Sequence, residues 1–186
     1  HEAVALIGSF AGHIVHDKQI FEALYHPKTQ AILTEEENAF IKRHVPRTVF
    51  LNDNDVDINE VRAHKNEWII KPTDNYGARD VYAGLALDEQ EWNKLIDTYA
   101  NEASGAPFIA QTYITPFKTH TLAPDSTIEN LADNEIDTQG TWYNNLSGLY
   151  LYNGEFQGIF SRLGPHPTIS KENEGMTAAT LHVRGC

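Results

Sequence analysis

The segment EWIIKPTDNYGARDVYAG, from Glu67 to Gly84, constrains the fold more than any other stretch of the chain. Trp68, Ile69 and Ile70 are bulky or β-branched and suit a strand. Pro72 stops the run, because proline cannot donate to a sheet ladder. Lys71 is therefore expected at a strand's exit, with its ammonium directed into a cleft. The polar loop Asp74–Asp80 follows, in which Gly77 permits a tight backbone turn, and Val81, Tyr82 and Ala83 read as the returning strand. The segment is thus a β-hairpin with a cation at its base and a glycine near its tip. Such a tip can bring backbone amides close to anionic oxygens; it can equally be a solvated edge hairpin. It is neither a Walker A loop, which needs Gly-Lys-Ser/Thr opening a helix, nor a dinucleotide fingerprint.

On either side of the hairpin the pattern alternates between strands and helices. Val4 to Phe10 reads as a first buried strand and Gly12 as a turn. In DKQIFEALYH, Ile20, Phe21 and Leu24 recur at helical spacing, so a short helix starts near Asp17 and Pro27 ends it. Thr34 followed by Glu35, Glu36 and Glu37 predicts an N-cap, a capping box and acidic groups facing the positive end of the helix dipole. That helix runs to about His44, with Lys42, Arg43 and His44 in its last turn. Thr48 to Leu51 is a strand, leading into an acidic stretch from Asn52 to Asp57. Asp88 is the expected N-cap of a helix to Ala100 with Trp92, Leu95, Ile96 and Tyr99 on one face. Phe108 to Ile114 is a strand, and Pro116 to Gln139 is polar and acidic enough to read as a long loop. Trp142 to Tyr152 and Phe156 to Leu163 form a hairpin turning at Asn153-Gly154, and Ala179 to Val183 is a last strand. The class is α+β, mostly antiparallel sheet with flanking helices.

Composition sets limits. The 186 residues are 41% hydrophobic and 22% charged, so a sizeable core can form in one domain or two joined lobes. The net charge is −12, which disfavours nucleic acid or an anionic membrane as partner, and a polyanionic ligand needs a local basic pocket. No apolar run approaches the roughly 18 residues needed to cross a bilayer, and the opening lacks a basic n-region, so the expected location is cytoplasmic. The lone cysteine, Cys186, rules out an internal disulfide and a Cys-rich zinc site. The chain begins His1-Glu2 and is expected to be a piece of something longer.

Four separated elements stand out: Asp17-Lys18, the strand lysine Lys71 with its loop at Gly77, the strand Gln111 to Ile114, and Ser161-Arg162-Leu163. In this order they resemble the nucleotide-binding part of the ATP-grasp superfamily, and more narrowly its circularly permuted branch that includes glutathionylspermidine synthase. HDKQIFEALY resembles that branch's helix start, WIIKP its strand lysine, DNYGARDV its glycine loop and FIAQTYI its adenine-side strand. GEFQGIFSRLGPHPTISKENEG resembles its carboxy-terminal hairpin and arginine. The resemblance implies one incomplete ATP-grasp unit over residues 1–186, with a possible small lobe at about 55–114. Lys18 and Lys71 would contact the ATP phosphates, Asn75 and Gly77 would lie in the lid, and Gln111, Thr112, Tyr113 and Ile114 would flank adenine. Arg162 would be the catalytic cation that stabilises charge on the transferred phosphoryl group.

The implied chemistry converts a small carboxylate to an acyl phosphate that an amine attacks. Mg²⁺ is expected in the complete protein, on ligands outside this chain: no Glu-x-Asn strand precedes Lys71, and in Glu172-Asn173-Glu174 adjacent residues of a strand would face opposite sides. The remainder of the parent chain is then the expected partner. Simpler readings stand beside these. Lys18 can be a surface lysine, Arg162 can pair with Glu155, Gln111 can satisfy buried backbone, and Arg79 can be a solvated loop charge. His13 and His16 lack a third ligand for zinc, and the three tryptophans suit the core. A non-catalytic module with the same scaffold, docking through the acidic loop Asp125 to Asp137, is the alternative function.

Overall fold

A computed structural model describes residues 10–52, 58–101, 107–121 and 140–180. The chain divides into two compact units, residues 1–114 and 115–186.

In the first unit four short strands form an antiparallel sheet in the order β1-β4-β2-β3: β1 Thr48–Phe50, β2 Trp68–Pro72, β3 Tyr82–Ala83 and β4 Phe108–Thr112. The α+β class with antiparallel pairing is as the sequence pattern predicts. Side chains alternate across the pleat, so Trp68, Ile70, Phe108 and Ala110 share one face. They join Leu51, Val61, Trp92 and Ile96 in the core. Val61 comes from α4, Ile58–Ala63, and Trp92 and Ile96 come from α5, Glu89–Tyr99. The Trp92 indole donates to the Val61 carbonyl at 3.0 Å, so a buried polar atom of the core is satisfied where the two helices meet. Asp88 caps α5 in a capping box with Glu91, of which the sequence reading had only the cap.

The other face carries Thr48, Ile69, Lys71, Ile109 and Gln111. It too is covered: Ile109 and Thr48 are buried, and α1, Gln19–Tyr25, packs against β1. Pro27 does not simply end the first helix. Its fixed φ and missing N–H suit a first helical position, and it opens a separate one-turn helix α2, Pro27–Gln30, capped by the His26 side chain. Helix α3, Glu35–His44, has the expected Thr34–Glu37 capping box. The expected strand Val4 to Phe10 lies outside the described residues except for Phe10, which opens a 3-10 turn ending at His13. The acidic stretch 53–57 lies outside them as well.

The second unit is a separate antiparallel sheet, order β5-β6-β7-β8: β5 Lys118–Thr121, β6 Thr141–Tyr152, β7 Glu155–Gly164 and β8 Met176–Ala178. Asn153 and Gly154, at φ 51° and 78°, turn the central hairpin as their sequence requires. Two expectations need correction. The supposed loop from Pro116 contains β5, whose KTHT alternates exposed and half-buried and pairs with β6, a signal too short to see against polar neighbours. Among the described residues the last strand is Met176–Ala178, paired with β7; of the expected strand Ala179 to Val183, Ala179 and Thr180 are not in a strand and residues 181–183 lie outside the described residues.

Candidate functional site

Lys18 sits at the start of α1, where the Asp17 carboxylate accepts from the Gln19 amide at 2.9 Å and fixes the first turn. The Lys18 amide donates to the Thr73 carbonyl at 3.0 Å. Its Nζ donates to the same carbonyl at 3.2 Å and to that of Asn75 at 2.6 Å. The helix start is therefore fastened to the loop leaving β2, and the Lys18 ammonium lies beside the end of the strand that carries Lys71. Lys71 Nζ donates to Gln111 Oε1 at 2.6 Å, Gln111 Nε2 donates to Thr48 Oγ1 at 2.7 Å, and the Thr48 hydroxyl donates to the Pro46 carbonyl at 3.0 Å. Because an ammonium can only donate, this chain fixes the Gln111 amide orientation and links β2, β4 and β1.

Lys71 is a perturbed cation. Burial, and secondarily repulsion from the Lys18 ammonium, lower its pKa to about 8. The two ammonium groups thus converge on one region although 52 residues of chain separate them. In a chain with 26 acidic residues, neither forms an ion pair among the described residues; their partners are carbonyl and amide oxygens only.

The loop from Thr73 to Val81 is anchored at its base and open at its tip. The Asn75 Oδ1 accepts from the Tyr76 amide at 2.9 Å, its Nδ2 donates to Asp80 at 3.4 Å, and His16 approaches Asp74 at 3.4 Å. Gly77 has φ 69°, and Ala78 and Asp80 follow it into the left-handed region at 57° and 56°. For Ala78 that conformation is strained, a feature that collects at loops which clamp or close. Tyr76 at the tip is 75% exposed. Burial and bonding to Tyr99 push the Tyr82 hydroxyl's pKa upward at the loop's far end.

Gln111 and Thr112 end β4, and Tyr113 and Ile114, expected in the same strand, follow it. Gln111 is buried and Ile114 is exposed. The Thr112 amide donates to the Arg47 carbonyl at 2.8 Å and the Tyr113 amide to that of Glu67 at 2.7 Å, so these two donors are committed within the protein. Gln111 does more than satisfy buried backbone, since its side chain accepts from the Lys71 ammonium. Thr48, the far anchor of that chain, was missed in the sequence. A threonine opening the apolar run TVFL was the available signal.

Arg162 belongs to the second unit. It is exposed on β7, opposite Leu146 on one side and Thr177 on the other, and its side chain has no hydrogen bond or ion pair among the described residues. Pairing with Glu155 does not occur, because Glu155 lies opposite Tyr152 at the other end of the strand. Lys171–Asn173 forms a 3-10 turn in place of a strand, and Glu174 contacts His166 at 3.2 Å. Among the described residues no group of three or more His, Cys, Asp or Glu is placed to hold a metal ion. Trp142 is 61% exposed, against the expectation that all three tryptophans serve the core.

Two cavities of the first unit lie elsewhere. A polar one of about 500 Å³ is lined by residues of α4 and α5 together with His64 and Lys65. An apolar one of about 400 Å³ is lined by Leu24, Leu33, Phe40 and Ile41. No described helix is long and apolar enough to cross a membrane. Comparison with family models, with curated proteins and with solved structures gives no match for this chain.

Proposed function

We propose that the first unit is the phosphate-binding portion of an ATP-grasp-type site, and that the protein to which it belongs is an ATP-dependent carboxylate–amine ligase. One observation carries this reading: two ammonium groups converge at the exit of β2, one of them desolvated, and both hold only neutral partners. A half-buried cation without a carboxylate is an electrostatic cost that an incoming anion relieves. Lys71, held by Gln111, and Lys18, held on the loop carbonyls, would each exchange a neutral acceptor for a phosphate oxygen. The loop at Asn75 and Gly77 would then close over the chain of phosphates. Bound ATP supplies the phosphoryl group that activates a carboxylate for attack by an amine. Gln111 and Thr112 at the end of β4, with Tyr113 and Ile114 just beyond it, would flank the base, and magnesium would rest on ligands outside this chain.

The test is thermal stabilisation by ATP, ADP and inorganic tripolyphosphate, with adenosine as control, on the wild type and on Lys71→Met. A ligand at a hundred times its Kd stabilises by about 2.7 kcal/mol, well within reach of a melting experiment. All three phosphate ligands should raise the melting temperature of the wild type and fail to do so in Lys71→Met. Indifference of the wild type to each of them would remove the reading. It would favour the second one, a non-catalytic scaffold, which rests on the fact that Lys18 and Lys71 both already hold acceptors of the protein itself. The acidic loop Asp125 to Asp137 that such a scaffold would dock through lies outside the described residues.

A further inference from the structure

We propose that the free edge of β6 pairs antiparallel with the same edge of a second copy of this chain. Strand β5 covers β6 only from Thr141 to Asn144, and β8 covers β7 only from Ser161 to Leu163. Beyond those limits, among the described residues, the Asn145 amide still donates to the Phe117 carbonyl at 2.9 Å, and the hairpin runs on as two strands alone over 148–152 and 155–160. A two-stranded ribbon is marginal in water unless something covers it. This one is apolar on both faces. Leu149, Leu151, Phe156 and Ile159 share one face, and Tyr150 and Tyr152 lie on the other; Leu149 and Leu151 are 65% exposed.

The two edges are not alike. The β7 edge carries Glu155 and a bulge where Gln157 is skipped between the Tyr150–Gly158 and Leu151–Phe156 pairs, both devices that discourage strand addition. The β6 edge from Leu146 to Tyr152 has no charge, no proline and no bulged residue, so its backbone groups left unpaired among the described residues are open to another strand.

Charge selects the occupant. The molecule carries a net charge of −12, so two copies repel one another over most of their surfaces. Residues 140–154, GTWYNNLSGLYLYNG, contain no charged side chain, and this is where that repulsion is least. A strand paired antiparallel with its own copy is generated by a two-fold axis, and the contact closes as a dimer. A lipid surface fits less well, since Glu155 stands at the hairpin's tip and the net charge opposes an anionic bilayer.

Analytical ultracentrifugation at about 100 µM, where contacts of micromolar affinity are saturated, tests the proposal. The expected mass is twice the 20.9 kDa of one chain. Leu149 lies near the two-fold, so Leu149→Lys sets like charges against each other and should weaken association by roughly tenfold or more. Leu149→Glu should do the same, and a mixture of the two variants should dimerise again, which a merely misfolded variant would not do. If far-UV circular dichroism shows either variant unfolded, Ser147→Lys, also exposed on β6, replaces it. A wild-type monomer at this concentration, or a dimer unmoved by these charges, overturns the proposal. A wild-type monomer that co-sediments with phosphatidylcholine vesicles overturns it in favour of a lipid surface.

Discussion

The two sheets are built from similar residues and differ in what their faces meet. In the first unit the strands have five residues or fewer, yet β4 is buried at four successive positions, Phe108 to Gln111, because helices cover one face and α1 with its neighbours covers the other. In the second unit β6 has twelve residues and β7 ten, and only Tyr143, Ser161, Leu163 and Gly164 are buried along them. The run LYLY in β6 lacks alternation, the signature of a strand covered on both sides, and it lies in the open. Length and β-propensity thus report that a strand will pair. They do not report that it will be covered, which depends on what the chain places above it.

The sharpest test of that contrast compares truncations. Trp92 is fully buried between α4 and α5, so Trp92→Ala should cost about 3–5 kcal/mol in urea unfolding. Leu149→Ala, measured below the concentration at which chains associate, should cost within about 0.5 kcal/mol, as surface changes do. Comparable losses at the two positions would mean that the hairpin is covered after all and would break the comparison.

These same contrasts explain what the sequence made legible. Local chemistry read well: the Thr34–Glu37 box, the Asp88 cap, the strand at Trp68 and the Asn153-Gly154 turn each depend on residues within a few positions of one another. Lys18 and Lys71 were singled out, but the chain Lys71–Gln111–Thr48 was not, because it depends on β4 entering between β1 and β2, a pairing that no local pattern encodes. The exposure of Trp142 was missed for a related reason. An aromatic residue in a strand has the same propensity whether a helix covers it or water does, and here the His120 ring lies tilted against the Trp142 ring at 5.1 Å while the residue stays exposed.

A smaller effect separates the units by pH. Lys71 is lowered from its ordinary value of 10.5 to about 8, so between those limits the unfolded chain binds more protons than the folded one. Stability should therefore rise with pH from about 8 to 10.5 on this group's account, and Lys71→Met should flatten that rise. A slope that survives the substitution would assign the pH dependence to other groups. Phosphate ligands should show the opposite sign. They favour the charged ammonium, so their binding should take up protons near pH 8 and weaken as pH rises through it.

The smallest expected effect concerns α3 and divides one capping box into its two halves. The Glu37 carboxylate accepts from the Thr34 amide and hydroxyl, each at 2.8 Å, and the backbone bond is the larger cause of its lowered pKa, followed by the hydroxyl. A carboxylate lowered from 4.5 on folding stabilises the fold above that value and loses its contribution as pH falls through the folded one. Thr34→Ala removes the hydroxyl's acceptance from the Glu37 amide, at a cost of about 1 kcal/mol. The Thr34 amide remains, so an NMR titration of the variant should find the Glu37 carboxyl still below its ordinary value, though less so than in the wild type. Full return to the ordinary value would show that the hydroxyl, by fixing the first turn, governs the amide bond too. The cap would then act as one unit.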